Sequence, residues 1–444
     1  MVSQAMLRQT SVQRDLHART VPLRTIMADS TRQQNKQFKT NGTANRLPLD
    51  LFMKVAYILI STIRQGGATK SFLTLLKGGM ETGVKPLVIV PGKEGTYHDL
   101  LALGVDVMVL NYRPAVYPWL KEPFDYIRFL PRLIGRIFVN WKATRQLTSC
   151  LKERGIDIVH TNVSAIDIGF RAAKKLNIPH IYHIREYGDK DFGMHFYPSK
   201  RKFMRHLQWN KCYSICITKG IQQHYGQQHC KRSFVIYNGI FPAQSQKPQH
   251  DRGNYFLFAG RIEAAKGVDM LLQAYMNYTK LTSSPLPLYI AGEVFDEHLK
   301  KNIESVVRKN GIQNNIHFLG LRTDIEELMR HAHAVVITSP FEAFGRCMPE
   351  AMSVGCLTIS RNSGGTLEQL ENGFNTVGED IALRYDTTEQ LSQQMLRATQ
   401  LTDSEYEHLC EKAWQTVNTL YNTAKYVHSV LSVYQKALNK KMYV

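Results

Sequence analysis

The chain is 444 residues long, with 43% hydrophobic and 21% charged side chains, 29 glycines and 16 prolines, proportions that exclude a largely disordered, collagen-like or low-complexity protein. Its formal net charge is +19, yet residues 251–444 hold 19 basic against 22 acidic side chains, so the whole excess lies in residues 1–250 and implies an anionic partner. The seven cysteines are odd in number and contain no C-x-x-C pair, which argues against a disulfide framework.

In chain order, residues 1–48 are polar and basic, lack the apolar stretch of a signal peptide and read as a mobile leader. A first domain over residues 49–243 then alternates short apolar runs (KVAYILI, KPLVIVPG, DVMVL, DIVHTN, PHIYHI, YSICIT, SFVIYNG) with amphipathic stretches. Between the first two runs, Phe72, Leu75, Leu76 and Met80 share one helical face. Strands alternating with helices predict crossover connections and a parallel sheet. No run approaches the roughly 20 apolar residues needed to span a bilayer, so the expected location is cytoplasmic.

Residues 121–154 and 200–209 interleave aromatic and aliphatic side chains with Arg and Lys, a pattern suited to the headgroup layer of an anionic membrane and equally to a core helix with a solvated face. Asp189-Lys190-Asp191, the sole D-x-D, reads as a solvated loop rather than a metal site. Cys212 and Cys216 alternate within an apolar run and read as buried thiols, not as zinc ligands with His224 and Cys230.

Residues 244–254 form a polar, proline-bearing linker, and the rhythm restarts over residues 255–422 with NYFLFAG, PLYIAG, IHFLG, AVVITS and CLTIS. Val268, Leu271, Leu272 and Tyr275 lie on one face of the helix between the first two of these. The chain turns helical beyond about residue 386 and ends in a helical tail over residues 423–444. The expected fold is α/β, with two facing Rossmann-like doubly wound domains that bind ligand where strand ends meet helix N-termini.

Two segments carry chemistry. Residues 338–352 leave the strand AVVITS and enter a helix that places Pro349 in its first turn, where the missing N–H costs nothing. Backbone N–H groups near Gly345 can hold an anion, and Glu342 and Glu350 can accept hydrogen bonds from vicinal hydroxyls. A helix N-terminus also attracts acids with no ligand present. In the second segment, Arg261 and Lys266 lie five positions apart in a strand-to-helix loop, spaced to grip a diphosphate or simply to sit in solvent.

Together these segments resemble the family 4 retaining glycosyltransferases of the GT-B fold, over most of residues 53–375. The ordered patterns are the Gly66-Gly67-Ala68 loop, DIVHTN at 157–162, YNGI at 237–240, GRIEAAKG at 260–267, FLGLRTDI at 318–325, the E-x7-E of Glu342 and Glu350, and SGGTLEQL at 363–370. The resemblance implies that Arg261 and Lys266 bind the donor diphosphate and stabilise the charge on the departing nucleotide, without a metal. It implies that Glu350 holds the donor ribose, that Glu342 contacts the transferred sugar beside the backbone of Phe344 and Gly345, that Gly66 and Gly67 let the first domain approach the donor, and that Arg322 borders the base. Asn162 stands where many relatives carry a second histidine, and it cannot act as acid or base. His160, Asn162, His183, Arg185 and Glu186 are the acceptor-side candidates.

The activity so implied is a cytoplasmic hexosyltransferase, peripheral on the inner leaflet of the plasma membrane. It would move sugar from a UDP- or GDP-linked donor to a growing surface glycan, such as capsule or lipopolysaccharide, or to a lipid-linked acceptor, with retention and without a cofactor. The alternative is a catalytically silent relative that binds nucleotide or glycan as a partner subunit. A nicotinamide-dependent oxidoreductase is disfavoured because neither domain has G-x-G-x-x-G after its first strand, and no nucleic-acid-binding signature is present.

Overall fold

The computed structural model describes residues 52–64, 66–118 and 123–439, so the expected leader falls outside the described residues. The seven apolar runs of the first half become β1 (Met53–Ile58), β2 (Val84–Val90), β3 (Asp106–Val109), β5 (Ile158–Thr161), β6 (His180–Ile184), β8 (Cys212–Cys216) and β9 (Ser233–Val235). They pair in parallel in the order β3-β2-β1-β5-β6-β8-β9. Helices cover both faces, so a strand such as β1 is buried on nearly every residue and reads as a continuous apolar run rather than an alternating one. The sequence reading did not include β4 (Val116–Pro118) and β7 (Met194–Phe196), a short antiparallel ribbon.

The second half repeats the plan with β10 (Phe256–Ala259), β11 (Leu288–Ala291), β12 (Ile316–Gly320), β13 (Ala334–Ile337), β14 (Thr358–Arg361) and β15 (Leu383–Tyr385), in the parallel order β12-β11-β10-β13-β14-β15. The edge strand β15 is three residues long, too short to announce itself as an apolar run. In each sheet the first strand lies between the strand that follows it and the strand reached by crossing back. The chain therefore reverses direction at β1/β5 and at β10/β13, the places where doubly wound sheets open a crevice beyond their strand ends.

One hydrophobic cluster joins the halves, running from Ile58, Tyr182 and Ile184 to Phe344, Met348 and Tyr421. The last helix, Thr423–Ala437, returns to the first half. It comes close because two residues there lack side chains: a Cβ on Gly239 would lie 2.9 Å from Thr423 Cα, and one on Gly78 would lie 2.7 Å from Val427 Cγ2.

Two local expectations change. Asp189 and Asp191 belong to a helical turn, Asp189–Phe192, not to a solvated loop. The Asp191 carboxylate accepts the Tyr187 and Gly188 N–H groups, both at 2.8 Å, and Asp189 pairs with His224 at 2.9 Å and Lys200 at 3.3 Å. The basic stretch after residue 200 forms the helix Lys200–Leu207, whose Phe203 and Leu207 are buried, so its apolar face belongs to the core. Cys212 and Cys216 are buried in β8, where burial pushes both thiols up.

Candidate active site at the paired strand ends

Beyond β10 the chain makes a short 3-10 turn, Ala264–Lys266, and closes it with Gly267 at φ +68°. A Cβ there would lie 2.2 Å from the Thr338 carbonyl oxygen, so glycine is what lets this loop meet the end of β13. The Thr338 hydroxyl donates to the Lys266 carbonyl at 2.8 Å and fixes that meeting. Lys266 Nζ then reaches Glu342 Oε1 at 2.8 Å, and the Ser339 hydroxyl donates to the same oxygen at 2.6 Å. Both partners keep some solvent access, with side chains 25% and 17% exposed. Arg261, at the head of the same loop, pairs with Glu263 at 2.8 Å and lies 4.8 Å over the Phe295 ring.

Glu350 sits on the helix Cys347–Ser353, one turn after Arg346. Arg346 Nε donates to Glu350 Oε1 at 3.1 Å and its NH2 pairs with the same oxygen at 2.9 Å, while its NH1 donates to the Ser71 hydroxyl at 2.9 Å. Ser71 is buried on the first half's helix Gly67–Glu81, so this guanidinium spans the two halves. A Cβ on Gly67 would come within 3.1 Å of Arg346 Cδ, and Gly66 is the extended N-cap residue just before it. The charges of both acids and of Lys266 act on the half-buried Cys347 thiol, which is pushed up first by burial and then by Glu350 and Glu342, against Lys266. Gly345, at φ +79°, places its Cβ direction 3.0 Å from Thr366 Oγ1 and 3.5 Å from Glu342 Oε2. Gln369 Nε2 donates to the carbonyls of Phe344 and Gly345, and the Gly365 N–H donates to the Glu342 carbonyl at 2.7 Å, so the loop is held from behind. Arg322 is half-exposed and paired with Asp324.

The first half's candidates gather at the ends of β5 and β6, but they are enclosed. His160 and His183 are fully buried. His160 Nδ1 is hydrogen-bonded to the Tyr434 hydroxyl of the last helix at 2.7 Å, and its Nε2 lies 3.3 Å from His183 Nδ1. Burial, then the Arg185 charge, pulls His160 down to about 3 and His183 well below its ordinary value. Arg185 donates to Asn162 Oδ1 at 3.0 Å, Asn238 Oδ1 at 2.7 Å and the Tyr426 hydroxyl at 3.0 Å. The Asn162 amide donates to the Ala68 carbonyl at 3.3 Å. Glu186 accepts the Ser164 N–H and hydroxyl, both at 2.7 Å, and burial pushes it up to about 7. His160 and Arg185 thus tie the last helix to the first sheet through Tyr434 and Tyr426, and both histidine rings are fully buried.

Comparison with known proteins decides the family. The pattern described as Glycosyltransferase Family 4 matches residues 65–244, and that described as Glycosyl transferases group 1 matches residues 241–400. The chain belongs to the group 1 glycosyltransferases. An uncharacterized glycosyltransferase of Methanocaldococcus jannaschii is 27% identical over 231 residues, which is 51% of this chain and 61% of that protein, so the match spans less than two thirds of that relative. The lipopolysaccharide glucosyltransferase WaaG of Escherichia coli is 25% identical over 30% of this chain and 38% of its own. The crystal structure of Anabaena HepE in complex with UDP and glucose superposes with a TM-score of 0.67 at 18% identity, covering 86% of this chain and all of that one, and the fold is GT-B.

In this glycosyltransferase the two halves are bridged by residues to which the sequence reading gave no role. Besides Arg346, Glu368 on the helix Gly364–Val377 accepts the N–H groups of Lys219 at 2.7 Å and Gly220 at 3.0 Å, and the Tyr237 hydroxyl at 2.9 Å. A carboxylate at the N-terminus of the first-half helix Lys219–His224 satisfies its free donors and its dipole. Phe341 meets Tyr187 with ring centroids 4.9 Å apart. The one sequence signal for Arg346 was its place, a cation four residues before Glu350, the spacing of a helical ion pair. Among the described residues no group of three or more His, Cys, Asp or Glu converges as a metal site would, and no helix is long and apolar enough to cross a membrane.

Proposed function

We propose that the protein transfers a hexosyl unit from a UDP- or GDP-linked sugar to a hydroxyl of a growing surface glycan or lipid-linked acceptor, with retention of anomeric configuration. The observation that carries this reading is the Lys266–Glu342 pair, which lies at the β10/β13 strand ends and shares its surroundings with Glu350. A donor diphosphate entering beyond those strand ends takes over the Lys266 ammonium. The exposed Arg261 swings from Glu263 to the same phosphates, and the two cations stabilise charge as the nucleotide departs, so that a metal is not required. Glu342, released from Lys266, accepts hydroxyls of the transferred sugar beside Phe344 and Gly345. Glu350 accepts those of the ribose, Gly66 and Gly67 face the donor from the first half, and Arg322 borders the base.

The relatives support the choice of donor and route: HepE was crystallised with UDP and glucose, and WaaG acts in lipopolysaccharide synthesis. We place the enzyme in the cytoplasm, peripheral on the inner leaflet of the plasma membrane. A thermal-shift screen of UDP-, GDP- and ADP-sugars tests the reading, because a ligand of the folded state alone raises its stability; about 2.7 kcal/mol is expected at a hundredfold excess over Kd. Nucleotide release with the matched donor, followed by NMR of the product anomer, tests transfer and retention. No shift with any sugar nucleotide overturns the assignment.

A further inference from the structure

The helix Pro123–Glu153 has two halves in different surroundings. Its C-terminal half is core, with Ala143, Leu147 and Leu151 buried. Its N-terminal half carries Ile127, Leu130, Ile134, Phe138 and Trp141, each between 48% and 70% exposed. Steps of three and four residues place these five on one face, a continuous apolar stripe. The opposite face is what fastens the helix. Phe129 packs on Tyr117 with ring centroids 5.0 Å apart, and Arg136 donates to the carbonyls of Pro114, at 3.2 Å, and Val116. The stripe is therefore held outward, and a contiguous apolar surface of this kind marks a face that is covered in use.

The charges beside it select what covers it. Residues 124–145 contain five basic residues against one acidic; Arg136 is taken up on the fastening face, while Arg132, Lys142 and Arg145 are exposed. Arg145 lies 4.8 Å over the Trp141 ring, at the edge of the stripe. Two copies meeting through this face would oppose cation to cation. An anionic lipid surface satisfies both features at once, the stripe entering the acyl boundary and the cations meeting headgroup phosphates.

We propose that the outward face of this helix, from Ile127 to Trp141, is the membrane-docking surface of the protein and lies in the headgroup layer of an anionic bilayer. The inference deepens the peripheral-membrane part of the reading above and rests on it for the purpose of docking, though not for its test. The helix Lys200–Leu207 has no part in it, since its apolar residues face inward.

The test is flotation of the full chain with vesicles of phosphatidylcholine alone, or of equal parts phosphatidylcholine and phosphatidylglycerol, at low and raised salt. Binding is expected to the anionic vesicles only, and to weaken with salt. Ile134→Asp with Phe138→Asp, and separately Arg132→Gln with Lys142→Gln, are each expected to lower that binding on the order of tenfold or more. All four side chains are exposed, so the thermal midpoint, and any shift given by a sugar nucleotide, stays as in the parent. The parent chain separates the two readings: failure to float with an intact nucleotide shift overturns only the docking face, and flotation without any nucleotide shift overturns only the donor assignment. Absence of flotation at low salt, or flotation that survives Ile134→Asp with Phe138→Asp, overturns the proposal. So does a lipid-free dimer that those same substitutions dissolve, since the stripe would then be covered by a second copy.

Discussion

The two halves place polar side chains at equivalent positions, beyond the strand ends where each sheet reverses, and put them to opposite use. In the second half the charges come as pairs with some solvent access, Lys266 with Glu342 and Arg346 with Glu350. Such pairs can exchange partners: a diphosphate replaces a carboxylate, and neither ion must be taken from water anew. In the first half the Arg185 guanidinium is buried among neutral groups, Asn162, Asn238, Tyr426 and His183, with the last helix as a roof. A network of that kind is stable only while every member stays paired. Equivalent places in a doubled fold thus need not hold equivalent chemistry. One half keeps its charges in pairs open to solvent, and the other buries its polar residues in a network that includes the helix Thr423–Ala437.

The largest effect expected from this contrast is on turnover. Lys266→Ala removes a cation that faces developing charge, and should lower nucleotide release from the matched donor by about 10²–10³-fold. Its thermal midpoint should move little, since a partly exposed ion pair contributes only about 1 kcal/mol or less. Loss of stability in place of activity would make the second half's pair structural too and remove the contrast.

The mirror experiment is Arg185→Leu. It leaves Asn162, Asn238 and the Tyr426 hydroxyl without their donor in a dry site, and should destabilise the fold by about 3 kcal/mol, read as a lower thermal midpoint. Tyr434→Phe, which unpairs His160, should do the same by about 1–2 kcal/mol. An unchanged midpoint with a raised acceptor KM would return these residues to the acceptor side.

Acid tests the first half's network further. His160, pulled down to about 3, stays neutral in the fold while its unfolded counterpart takes a proton from about pH 6.5 downward. His183 and His180 are lowered in the same sense by the same burial. Their contribution is complete above pH 6.5 and is lost as pH falls toward 3, by a few kcal/mol in sum. Glu186 opposes this. Raised to about 7 from 4.5, it contributes most below pH 4.5 and loses that contribution as pH rises through 7. The thermal midpoint should therefore fall from pH 6.5 to 4, and fall more steeply in Glu186→Gln, where the opposing group is gone.

Much of the fold was legible because parallel strands buried on both faces leave unbroken apolar runs, and seven such runs became the seven strands of the first sheet. The Glu342 and Glu350 segment was legible because it lies within one loop and one helix. Partnership across the chain was not. His160 meets Tyr434 and Arg346 meets Ser71, each pair more than 270 residues apart. Periodicity shows which residues share a face but not what covers it. The stretches beginning at residues 121 and 200 look alike in sequence, yet Phe203 is core and Phe138 faces outward. Sequence reading also gave Arg261 and Lys266 one task, whereas only Lys266 touches a site carboxylate and Arg261 rests on Glu263.

The smallest effect concerns Arg346, one of the side chains that bridge the halves. Arg346 holds Glu350 with two of its nitrogens and the buried Ser71 with the third, so the carboxylate assigned to the ribose is positioned in part from the other half. Ser71→Ala removes only the crossing hydrogen bond, and should raise donor KM by about two- to fivefold, near 1 kcal/mol or less, with kcat little changed. Arg346→Leu should raise KM further, because Glu350 then loses its orientation as well. A guanidinium that merely competed with the ribose would give the opposite sign, a lower KM in Arg346→Leu. The decisive measurement is the cycle of Ser71→Ala with Glu350→Ala. Coupling through Arg346 makes the two non-additive in donor affinity by about 0.5–1 kcal/mol, whereas unconnected sites would add.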